Sequence, residues 1–139
     1  MPYLYDAHRG GVMISDAIAG RIELRLRAFA GERFAGRYRD LGVWFRGPFC
    51  YLDLYRDPGP YLEGWSDEDS GETREQYRDR VAATPVHLCR LRYFGNPDRW
   101  SFALYNWETG DYEPAEFASG DAAGLPEDAV ELVLQLHLD

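Results

Sequence analysis

Apolar positions along the chain change period several times, and these changes divide it into elements. Ile18, Ile22, Leu26 and Phe29 fall on one helical face, and Ser15 or Asp16 precedes them as a cap. Ile22, Leu24, Leu26 and Ala28 also alternate as a strand would, but the helical face is longer and Ala and Arg are good helix formers. Over residues 42–56 the period drops to two. Val43 and Phe45 alternate with Trp44 and Arg46; after Gly47-Pro48, Cys50, Leu52 and Leu54 alternate with Tyr51, Asp53 and Tyr55. Two strands around a Gly-Pro turn are expected, with a single bent strand as the alternative. Residues 57–72 read as an acidic loop. Thr73 and Gln76 then form a capping box for a short helix with Tyr77 and Val81 inward, and Thr84-Pro85 ends it.

Three further strands are predicted at 86–94, 99–107 and 112–117. Their connections, 95–98 and 108–111, are short and turn-rich, which implies an antiparallel meander. Pro126, Glu127 and Asp128 suit the first turn of a closing helix, with Ala129, Val130, Val133 and Leu136 or His137 inward. Alternation from Val130 to Leu138 competes as a strand signal, and the start signals decide for helix. The expected fold is α+β: one antiparallel sheet of about five strands, including the C-terminal three-stranded meander, with helices packed on one face. Residues 1–13 read as a flexible extension and 14–139 as a single domain, as suits a chain of 139 residues.

Strand pairing sorts the side chains. If Tyr93 opposes Trp100, then Leu91 opposes Phe102, Cys89 opposes Leu104 and His87 opposes Asn106. If Trp107 opposes Tyr112, then Leu104 opposes Ala115 and Phe102 opposes Phe117. One face is then consistently apolar, with Val43, Phe45, Cys50, Leu52 and Leu54 joining it, which supports the register. The other face carries Trp44, Tyr51, Asp53, Tyr55, Val86, Leu88, Arg90, Arg92, Tyr105, Trp107 and Tyr112. A solvated sheet face is polar; this one is aromatic and set with Arg and Asp, so it is expected to be covered or to bind something.

Charge narrows what that could be. The net charge is −9 and every basic residue is Arg. Residues 1–46 hold 8 Arg against 5 acidic residues, and residues 47–139 hold 7 against 19. An acidic body opposes nucleic-acid binding, whose affinity rests on phosphate neutralisation, although Arg21, Arg25 and Arg27 could form a local basic patch. The strand around Arg90 also lacks the full aromatic and glycine pattern of an RNA-binding sheet. Two cysteines make no disulfide framework, no signal peptide is evident and no apolar run approaches a membrane span, so a reduced cytoplasmic setting without membrane association is expected.

Chemistry at a site would centre on His87 with Cys50 and Cys89, either as metal ligands or as a Cys–His nucleophile pair. Strand parity puts Asp53, the nearest carboxylate, on the opposite face from that pair, which argues against a triad. The acidic loop fails the Ca²⁺-loop spacing at Gly71 and at Arg78. Neither a cofactor nor a metal is expected. The segments TPVHLCRLRYFG, DRWSFALYNW and DYEPAEF resemble, in that order, a group of small bacterial proteins of unknown function, from Phe45 onward. That resemblance implies a compact, stand-alone bacterial protein and carries no activity or site residue.

Two functions from different classes follow. The first is a non-enzymatic, homo-oligomeric interaction or ligand-binding domain. It would take a protein or small molecule on the aromatic face through Trp44, Tyr51, Tyr55, Arg90, Arg92, Tyr105, Trp107 and Tyr112. The second is a small hydrolase or metal-dependent enzyme built on His87 with Cys50 and Cys89.

Overall fold

The first helix begins where the Ser15 hydroxyl accepts the Ile18 amide at 3.3 Å, so that α1 spans Asp16–Arg33. The computed structural model of the chain describes residues 10–57 and 71–138. The acidic loop of 57–72 therefore lies mostly outside the described residues, as does the N-terminal extension through residue 9. Ile22, Leu26 and Ala30 are the buried positions of α1, four apart, and this helical spacing defeats the competing strand pattern. Five strands follow: β1 (Asp40–Arg46), β2 (Phe49–Tyr55), β3 (Val86–Tyr93), β4 (Trp100–Asn106) and β5 (Asp111–Ala115). Between β2 and β3 lies α2 (Arg74–Ala83), and α3 (Pro126–Leu138) closes the chain. The sheet is a simple antiparallel meander in the order β1-β2-β3-β4-β5.

Turn chemistry sets the hairpins. Gly47 has φ +59° at the first central position of the β1–β2 turn, a conformation open to glycine, and Pro48 follows it. The capping box of α2 forms as its residues predict: the Thr73 hydroxyl accepts the Gln76 amide while the Gln76 side chain accepts the Thr73 amide.

Helices α1 and α3 cover one face of the sheet. Ile22, Leu26 and Ala30 of α1 with Phe34 at its C-cap, Val130, Val133 and Leu134 of α3, and Leu52, Leu91, Trp100 and Phe102 of the sheet belong to one buried core. The α1–α3 pair is fastened by Arg25, which donates to both Glu127 oxygens at 3.0 and 2.8 Å and to Asp98 Oδ1 at 2.9 Å in the β3–β4 turn. Arg27 pairs with Glu23 at 2.9 Å. These two arginines of the expected basic patch are thus engaged in the fold. On α3 the inward residues are Pro126, Ala129, Val130, Val133 and Leu134. Of the two alternatives expected at its end, Leu136 and His137, neither is inward: Leu136 is 65% exposed, because the stripe set by 126, 130 and 134 leaves position 136 on the outer side, and His137 in the last turn is exposed as well. No helix of the described residues is long and apolar enough to cross a membrane.

Two registers differ in detail from the pattern-based expectation. The β3–β4 pairing is as expected, with Tyr93 opposite Trp100 and Cys89 opposite Leu104. In β4–β5 the pairing is displaced by two residues: Tyr105, not Trp107, opposes Tyr112. Asn106 causes this by ending the strand early. Its Oδ1 accepts the Glu108 and Thr109 amides and its carbonyl accepts the Gly110 amide, which pins 107–110 as the turn. A slip of two leaves every face unchanged. The second difference does change faces. Between β2 and β3, Leu52 opposes Cys89 but Asp53 opposes His87, so Leu88 is an extra residue forming a β-bulge. Leu88 joins Cys89 in the core, and Val86 packs against that core, although alternation had put both Leu88 and Val86 on the aromatic face.

Candidate functional site

The bulge at Leu88 decides where the chemistry of this protein lies. Upstream of it the alternation is inverted, so His87 turns away from the cysteines and onto the face of Asp53. Its Nδ1 lies 2.8 Å from Asp53 Oδ1. The other carboxylate oxygen, Oδ2, accepts the Trp44 indole N–H at 3.0 Å. The expected separation of Asp53 from His87 by the sheet is therefore corrected: parity counting fails at a bulge, which inserts one residue. What the sheet separates is His87 from Cys50 and Cys89.

Both thiols are buried in the core with no exposed surface. Burial pushes each thiol well up from its ordinary range, because the thiolate would lose its hydration. Neither pairs with His87 as nucleophile and base. Among the described residues no group of three or more His, Cys, Asp and Glu side chains is placed to hold a metal ion. The expected result with an alkylating reagent such as iodoacetamide, at about pH 8, is no modification of the folded chain and modification of both cysteines once it is denatured. A thiol that reacts in the folded chain at the denatured rate would contradict this burial.

Asp53 is 6% exposed and Trp44 42%, so a buried carboxylate sits beneath a half-open indole. Gly42, opposite Asp53 on β1, makes room for the arrangement. A Cβ there would lie 3.2 Å from the Tyr55 ring and 3.4 Å from Asp53 Cβ. An ionised carboxylate only accepts hydrogen bonds, so the neutral imidazole must hold its proton on Nδ1 and present Nε2 as an acceptor. The His87 side chain is 38% exposed.

Rings surround this dyad. Trp44 stacks on Tyr51, centroids 3.9 Å apart and planes 8° apart. Tyr51 meets Tyr112 edge-on at 5.6 Å, and Tyr112 meets Tyr105 at 5.1 Å. Tyr105 contacts both His87 and Trp107 at 5.0 Å. The circuit closes through the hydrogen bonds from His87 and Trp44 to Asp53. Burial and the nearby Asp53 charge push the Tyr112 phenol up.

The aromatic face therefore has two ends. At one, Arg90 and Arg92 are buried, 8% and 3% exposed, beside buried Ser101 and Ala103. The Arg90 guanidinium lies 4.3 Å from the Phe49 centroid and 5.0 Å from that of Tyr112, and Arg92 lies over Phe94. At the other end Trp107 is 58% exposed, and Trp44, His87 and Tyr105 are partly open. Tyr55 lies near the β1 edge under the Arg39 guanidinium. Trp44, Tyr51, Tyr105, Trp107 and Tyr112 are thus brought together; Arg90 joins them through Tyr112, while Arg92 and Tyr55 lie apart from the circuit. At its centre lie Asp53, which alternation already places on this face, and His87, which alternation alone does not. No protein family, no curated protein and no solved structure matches the chain.

Proposed function

We propose that this protein is a non-enzymatic binding domain that works in the cytoplasm through the open end of its aromatic sheet face. The observation that carries this reading is the pair of exposed indoles, Trp44 and Trp107, flanking the buried Asp53 and its imidazole. Large rings left in water and ordered against one another on a sheet suit contact with a second molecule. Trp44 lies on β1, an edge strand of the sheet, and self-association would use that edge. The ligand would then be received at the Trp107 end. Light scattering on the purified chain should give the mass of a dimer, and Trp44→Glu should give a monomer with an unchanged circular-dichroism spectrum. A monomeric wild-type chain removes the self-association, and a dimeric Trp44→Glu removes its placement on β1.

One observation favours a catalytic reading: the Asp53–His87 bond is made through Nδ1, so on a partly exposed imidazole Nε2 would be the base, the arrangement of a general-base histidine. Such an enzyme would act without Cys50 and Cys89, which lie on the other face. Hydrolysis of p-nitrophenyl acetate at equal rates by the wild-type chain and a His87→Ala variant removes this reading.

A further inference from the structure

We propose that Trp107, Tyr105 and His87, with Asp53 beneath them, form an aromatic cage for a quaternary ammonium group. This rests on the binding-domain reading and names the chemistry of its ligand.

The first support is geometric. The three ring centroids form a triangle with sides of 5.0, 5.0 and 6.4 Å. Trp107 and Tyr105 are nearly perpendicular at 82°, while Trp107 and His87 are inclined by only 23°. The rings touch one another, so a cation would sit above the triangle rather than between walls, where it could lie within about 6 Å of all three centroids. The cage is also pre-organised. Trp107 opens the turn that Asn106 holds, and the Asn106 side chain is itself fixed by donating to Glu113 Oε1 at 2.9 Å. Less order is therefore lost when a ligand enters.

The second support is charge. Asp53 is almost wholly buried, yet its partners are an indole and an imidazole, and among the described residues no guanidinium pairs with it. Glu108 and Glu113 line a shallow open depression with Tyr105 and Trp107 beside the cage. Among the described residues no Arg lies over Trp107 or Tyr105, whereas Phe34, Phe49, Tyr55, Tyr77, Phe94 and Tyr112 each carry at least one. The open rings are those the described arginines leave vacant, and the carboxylates around them disfavour anions. A quaternary ammonium fits better than a primary one, because it is weakly hydrated and presents methyl groups to the rings.

The test is a titration of the ¹⁵N-labelled full chain at about pH 8 with choline and, separately, with its uncharged isostere 3,3-dimethylbutan-1-ol. Choline should move the Trp107 indole and His87 resonances saturably and leave the buried Trp100 indole in place. The isostere should bind about tenfold more weakly, as loss of a cation–π contact implies. Asp53→Asn should weaken choline about tenfold and leave the isostere unchanged, while Trp107→Ala, on the exposed turn, should abolish the response to choline. Equal affinity for the two probes overturns the cage and leaves an aromatic binding face. No saturable response to choline also overturns it, and the binding-domain reading is then decided separately by the light-scattering result.

Discussion

Replacing Trp100 by Ala should destabilise the fold by about 3–5 kcal/mol, a large share of the roughly 5–15 kcal/mol that holds a domain of this size together. Trp100 is fully buried and sits where the sheet, the helices and the C-terminal loop meet. Its ring packs 4.9 Å from that of Tyr93. Its indole N–H donates to the Pro97 carbonyl at 2.8 Å, and its backbone exchanges two bonds with Gly124 at 2.8 and 2.9 Å. The backbone bonds survive truncation, so the loss comes from the cavity and the missing indole. Trp100→Phe fills most of that space and should cost less, about 1–2 kcal/mol, mainly through the lost hydrogen bond. Urea unfolding of both variants measures this. An Ala variant within about 1 kcal/mol of wild type would mean that the site collapses around the void.

Asp53→Ala should cost about 2–3 kcal/mol, and here two effects compete. Burying a carboxylate is unfavourable, and removing one can stabilise a protein. Against that stand two hydrogen bonds to a charged acceptor, each worth about 1.5–3 kcal/mol. Both donors are partly exposed and recover some hydration when the acceptor is lost, which brings the expected value down. A stabilised Asp53→Ala chain would show that desolvation wins and that the carboxylate is kept for function at the expense of the fold. Asp53→Asn separates charge from shape. Its carbonyl can still accept the Trp44 indole, but its amide then donates to His87 Nδ1, which drives the imidazole proton to Nε2. Imidazole ¹⁵N shifts, read where His87 is neutral, should report that exchange of tautomers. An unchanged tautomer would contradict the hydrogen-bond roles assigned to the dyad.

How much of this the sequence reveals depends on whether a feature is local. The caps at Ser15 and Thr73 and the Gly47-Pro48 turn are written in adjacent residues and form as read. The apolar face is carried by a period of two, so even a register displaced by two residues in β5 leaves it intact. Leu136 illustrates the limit on α3: leucines at 132, 134, 136 and 138 are equivalent in composition, and only docking against α1 and the sheet selects Leu134.

His87 shows the same limit at the site. Nothing in the run Val86-His87-Leu88-Cys89 marks Leu88 as the inserted residue; the bulge is a property of β2 and β3 together. One inserted residue moves His87 from the core row to Asp53, and so turns a supposed Cys–His group into an Asp–His dyad beneath exposed tryptophans. By itself the sequence determined the elements, the C-terminal three-stranded meander, most of the two sheet faces and the aromatic character of the second, because periodicity and turn chemistry act over a few neighbouring residues. Only the tertiary structure decided which end of that face is buried and which is open, and that His87 belongs to it, because burial and bulge position depend on segments far apart in the chain.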